Sequence, residues 1–194
     1  MKYIINLLIL GLIVFLGFAL YNSIKEPIAF GAELNKRQGA VVTSLQNIRK
    51  AQEIHREIKG EFAGSFADLK LVLMYDSIPT IKLEADPTDP TNLDKFQRIV
   101  TYAPAIDEVN KLGLNLDDLA FVPFTDKKTR FEMQADTTTY QSTIVPVMEV
   151  MTKFKDFMGP FADPRYRKYE KSYDPDASIG FGSMNTPNLE GNWK

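Results

Sequence analysis

Residues 45–69 read LQNIRKAQEIHREIKGEFAGSFADL, and their spacing decides the kind of fold this chain adopts. Val41, Leu45, Ile48, Ala51, His55 and Ile58 recur every three or four positions, which sets them on one stripe of a helix. Arg49, Lys50, Glu53, Arg56 and Glu57 fall on the other faces. The stripe predicts an amphipathic helix from about Glu33 to Lys59. Gly60 is its expected C-terminal cap, and Lys59 complements the negative helix end. His55, the one histidine of the chain, lies on the packed stripe. It is therefore expected to be a core residue. A Ser-His-Asp triad would need His55 as its base, and the chain has no G-x-S-x-G elbow to supply the serine. Sites with several histidine ligands are excluded.

Upstream, Tyr3 to Tyr21 (YIINLLILGLIVFLGFALY) is a run of 19 uncharged residues. As a helix it spans roughly 28 Å, close to the hydrocarbon thickness of a bilayer. Tyr3 and Tyr21 stand where aromatic side chains favour the two interfaces. The run is longer than the apolar region of a secretory signal and no A-x-A site closes it, so an uncleaved single-pass anchor is expected. Pro27 and Gly31 are expected to break the helix as it leaves the membrane. Residues 1–22 then form the anchor and 23–32 a linker. Gly11 and Gly17 are the candidate points for packing against other membrane helices, although not at G-x-x-x-G spacing. Lys25, Lys36 and Arg37 after the span slightly favour a cytoplasmic domain by charge count. Long domains translocate largely regardless of such charges, and the expected placement is the inner membrane with the domain on the periplasmic side.

The whole chain has 194 residues, a formal net charge of -2 and no cysteine. Disulfides, thiolate metal sites and cysteine nucleophiles are therefore excluded, and no basic excess exists to neutralise nucleic-acid phosphates. Beyond Gly60, Ser65 is placed to cap a short helix from Phe66 to Tyr75, with Asp68 in its first turn. The segment Glu84 to Asp94 (EADPTDPTNLD) is a proline-broken acidic loop. Asp86, Asp89, Asn92 and Asp94 offer oxygens to calcium, but without the EF-hand spacing a solvated turn is the better expectation. Strands are expected at Phe96–Tyr102, Ala120–Phe124, Arg130–Ala135 and Thr143–Met151, with Pro146 at an edge or bulge and a helical turn at Asn115–Leu119. In RFEMQA, Phe131 and Met133 share one face, as a sheet lying on the long helix requires.

Residues 153–194 form an extension. Phe154 to Tyr173 mixes aromatic with basic residues, a pattern expected to pack on the sheet or on a partner rather than to bind single-stranded nucleic acid. The tail IGFGSMNTPNLEGNWK is expected to be irregular, with Phe181, Met184, Leu189 and Trp193 as its docking residues. Trp193 is the single tryptophan and reads as a peg for a pocket on this chain or a neighbour.

Leu45, Ile48, Arg49, Ala51, Gln52, His55, Gly60, Phe62 and Leu69 resemble the type IV pilin and type II secretion pseudopilin pattern L-x-x-I-R-x-A-x-x-x-Y-x-x-x-x-G-x-Y followed by leucine, with His55 in place of the tyrosine. The pilin processing site and its fifth-position glutamate are absent. Gly17-Phe18-Ala19-Leu20 is similar to the G-F-x-L start but ends the apolar run. The close of the tail resembles that of a Bacteroidota-type envelope protein family. The resemblance implies an α+β domain over residues 33–152, in which an amphipathic helix packs on a small antiparallel sheet. Its implied role is that of a non-enzymatic scaffold in a secretion, pilus-like or transport assembly, with other envelope proteins as partners. Neither cofactor nor metal is expected. Two alternatives stand beside it: a ligand- or calcium-binding sensor, and a hydrolase using paired carboxylates such as Asp117 and Asp118, or Asp86 and Asp89.

Overall fold

The computed structural model describes residues 2–85 and 96–193. One helix, α1 (Lys2–Lys59), runs unbroken through both the apolar run and the amphipathic stripe. Proline at position 27 sits inside it, so the expected break and linker are absent. Tertiary contacts on either side of Pro27 explain this. Glu26 is held by Tyr169, and Phe30 is buried under an aromatic cluster, so the helix is clamped across the lost backbone bond. The domain core thus begins at Phe30, inside the expected linker.

The stripe is buried as its spacing required: Val41, Leu45, Ile48 and Ala51 are fully inaccessible. Gly60, at φ 81°, ends the helix in the left-handed conformation, and its N–H donates to Arg56 O at 2.8 Å. Helix α2 (Phe66–Tyr75) follows, capped by Ser65, whose side chain accepts from the Asp68 N–H. Leu69, Val72 and Leu73 turn inward from it.

Two sheets replace the single expected one. Strands β1 (Ser77–Ala85) and β2 (Phe96–Pro104) pair antiparallel from Ser77↔Pro104 to Ala85↔Phe96 as a two-stranded ribbon. Pro79 hides β1 in the sequence, yet both strands of a ribbon are edges, where proline is tolerated. Residues 86–95, including the calcium oxygens named above, lie outside the described residues. Helix α3 (Ala105–Lys111) leads through the expected turn, in which Leu119 N–H donates to Asn115 O. Ala120–Phe124 is not a strand. Only Phe121 bridges to Arg130.

The second sheet has the order β3-β4-β5, all antiparallel. Strand β3 (Glu132–Tyr140) is longer than expected, and Gln141 and Ser142, at φ 48° and 67°, make a tight two-residue turn into β4 (Thr143–Lys153). Pro146 lies where β4 has a neighbour on one side only, because β5 begins pairing at Met148. Strand β5 (Ser178–Ser183) comes from the tail and corrects the expectation of irregular chain there. Helix α4 (Phe154–Met158) and two 3-10 turns, Gly159–Phe161 and Pro164–Lys168, carry the chain along α1 in between.

Candidate docking surfaces and the His55 junction

Two buried polar residues of α1, Gln52 and His55, sit where the helix meets the turn after Gly60. Gln52 is wholly buried; its Nε2 donates to Ala63 O at 3.0 Å and its Oε1 accepts from Ala63 N–H at 2.9 Å. One amide thus satisfies both backbone groups of a buried residue, and the sequence reading assigned it no role. His55 is 2% exposed, with Nδ1 2.8 Å from Glu61 O. A carbonyl only accepts, so Nδ1 carries the proton. Nε2 lies 3.3 Å from Asp68 Oδ2 but out of line for a hydrogen bond. His55 therefore ties the Glu61 turn back to α1. Among the described residues no group of three or more His, Cys, Asp or Glu side chains is arranged to hold a metal ion. Replacing His55 by glutamine should lower stability by about 1–3 kcal/mol, read as a shift in thermal unfolding. A glutamine variant as stable as the parent would contradict the tying role.

The aromatic extension packs on α1. Phe30 stacks on Tyr166 at 4.9 Å and meets Tyr173 edge-on at 5.0 Å. The Tyr173 hydroxyl donates to Phe161 O at 2.7 Å. Burial pushes its phenol from 10.0 up to about 12. The folded chain thus holds this proton more tightly than the unfolded one. Its stabilisation is present below pH 10.0 and is lost as pH rises towards about 12. Tyr173→Phe should cost about 1 kcal/mol at neutral pH and lose less stability than the parent across that alkaline window. Equal alkaline losses in a pH series of denaturant curves would count against this account.

Of the named tail residues, Phe181 is in the core of its own chain, 2% exposed, between β4 and α1. Leu189 and Trp193 pack half-buried on that core, and Met184 is half-buried. Asn192 holds the tail down, accepting from Gly180 N–H and donating to Ser178 O at 2.9 Å each. The Trp193 ring lies over Gly191 of its own chain.

Helix α1 is the one helix among the described residues long and apolar enough to cross a membrane, and its apolar stretch touches nothing else in the chain. Gly11 and Gly17 are open on its surface. Six residues apart, they are rotated by about 120° and do not share one face. A groove of about 660 Å³ opens between α1, the β1–β2 ribbon and α3, bordered by Glu53, Ile54, Glu57, Ile78 and Asp107. The carboxylates weighed for hydrolysis are engaged separately. Asp117 meets Lys70 and Asp118 meets Lys127, each at 2.5 Å. The Lys70 ammonium holds Asp117 below the usual carboxylate range. Asp86 and Asp89 lie outside the described residues. Comparison with known proteins adds no relative: no family model, curated protein or solved structure matches the chain.

Proposed function

We propose that the chain is a non-enzymatic, membrane-anchored scaffolding subunit of a bacterial cell-envelope complex, pilin-like in plan. Its domain would stand on the periplasmic side of the inner membrane. The observation that carries this reading is the continuous α1. Its first half is apolar and bare, and its second half is the spine of an α+β domain. A bare apolar surface of that size is not stable in water, and a bilayer is the environment that covers it. Because no hinge separates the halves, the helix would transmit the position of the domain to the membrane and to neighbouring subunits.

The test is extraction and sizing of the full chain from its native membranes. Retention through a carbonate wash, followed by elution in mild detergent as an assembly well above the 22.0 kDa chain, is expected. Release by carbonate would remove the anchor, and a lone chain in every detergent would remove the scaffold. An alkaline phosphatase fusion at the C-terminus should be active. An inactive fusion would place the domain in the cytoplasm. The groove beside Glu53 and Asp107 favours a sensor as the second reading, which saturable binding of a small ligand by the purified chain would support.

A further inference from the structure

Residues 153–173 hold six basic and three acidic side chains, in a chain whose net charge is -2. The fold brings part of this positive charge to one level of α1. Arg165 Nη2 lies 3.3 Å and Lys168 Nζ 3.7 Å from the Glu26 carboxylate, and the Tyr169 hydroxyl donates to the same group at 2.6 Å. That hydroxyl, followed by the two cations, holds Glu26 below the usual carboxylate range. Arg165 and Lys168 face the carboxylates of Glu26 and Asp163, and the adjacent Lys25, 5.6 Å from the Tyr21 ring, leaves the group with positive charge over. The Arg165 and Lys168 side chains stay more than half exposed, at 58% and 55%, so their remaining N–H groups are open to a further acceptor.

The level itself is informative. Glu26 lies five residues beyond Tyr21, the end of the apolar run, which at helical rise is about 7–8 Å. That distance is the depth of the headgroup layer outside a hydrocarbon core of about 30 Å. Beside it an open cleft of about 310 Å³ is lined by Lys25, Glu26, Ala29 and Phe161. Tyr21 stands at the end of the apolar run and Tyr169 about one and a half turns further along, beside Glu26, so the two rings bracket the layer where amphipathic rings favour the interface. The arrangement is a cationic, aromatic-edged collar at Glu26 with the cleft beside it.

We propose that Lys25, Arg165 and Lys168 form a docking collar for anionic phospholipid headgroups, which seats the domain on the bilayer surface. The inference rests on the membrane-anchor reading. Arg165 presents a planar fork that matches phosphate oxygens, while Lys25 and Lys168 add point charge that falls off within a Debye length. Glu26 keeps the two cations of the extension at headgroup height, so the lipid contact and the clamp across Pro27 are parts of one structure.

The test reconstitutes the full chain into phosphatidylcholine vesicles carrying a trace of spin-labelled phosphatidylglycerol or spin-labelled phosphatidylcholine. Electron spin resonance then reads the motionally restricted fraction of each. The anionic probe should be enriched about fivefold or more over the zwitterionic one at low salt. Enrichment should fall towards one in about 0.5 M sodium chloride, a measurement that needs no variant. It should also fall in a Lys25→Gln, Lys168→Gln chain, which keeps Arg165 on Glu26. Equal restriction of both probes by chain that resists carbonate would overturn the collar and leave the anchor standing. Enrichment retained in the double variant would overturn the assignment to these residues. Release of the chain from the vesicles by carbonate would overturn both readings.

Discussion

Replacing Gln52 by leucine is expected to destabilise the domain by about 2–5 kcal/mol, although the two side chains are close in volume. The leucine fills the space but leaves Ala63 N–H and Ala63 O without partners in a site from which water is excluded. Each orphaned group costs about 1–3 kcal/mol. Against a total stability of about 5–15 kcal/mol for a single domain, that loss is large. Thermal unfolding of the full chain in detergent, followed by Trp193 fluorescence, gives the measurement. Gln52→Glu separates the two bonds, because a carboxylate still accepts from Ala63 N–H but faces Ala63 O without a donor. A leucine variant within about 0.5 kcal/mol of the parent would mean that the Ala63 groups find other partners.

The second large effect is expected at Gly180. Strand β5 lies so close to β4 that a Cβ at Gly180 would collide with Val150 O, and would come within 2.8 Å of Met151 Cα. Both obstacles are on a paired strand, not on a flexible side chain, so Gly180→Val should lift β5 away. Ile179 and Phe181 then lose their burial, and Leu189 and Trp193 lose the surface they rest on. The expected cost is about 3–5 kcal/mol, comparable to large core truncations. The assay is direct. Trp193 emission should move to the red and become accessible to iodide, and proteolysis should remove the region 178–194 first. Gly64, with open space around it, is the control, and Gly64→Ala should leave all three readings unchanged. A Gly180→Val chain with parental Trp193 emission and protease resistance would show that β4 and β5 separate at little cost.

The local features were legible because their physics is local. The apolar stripe from Val41 to Ile58 repeats at the helical period, and a period of that length leaves one packing solution. Ser65 as the α2 cap and Gly60 as the α1 stop follow from backbone chemistry within four residues. The apolar run of α1 follows from composition alone. Strands β2 and β4 were visible as short, often alternating segments bounded by turn residues, and the burial of His55 followed from its place on the stripe.

What the sequence left open depended on partners distant along the chain. Pro27 reads locally as a break, and only Tyr169 and the Phe30 cluster, about 140 residues away in sequence, hold the helix through it. Strand β5 has two glycines in six residues and no strand signal of its own; its register exists because β4 offers a paired edge. The division into a ribbon and a separate sheet is likewise set by pairing, which composition does not encode. The role of Gln52 was hidden for the same reason, since it is defined by Ala63, 11 residues on. The sequence by itself determined the amphipathic half of α1, helix α2, their caps and the apolar span, each a matter of neighbours within a turn or two; α3 and α4 were not read from it. Tertiary structure alone decided that α1 is one continuous helix, that the tail begins as strand β5, and that basic and aromatic residues gather beside Glu26, because long-range contacts outweigh local preference there.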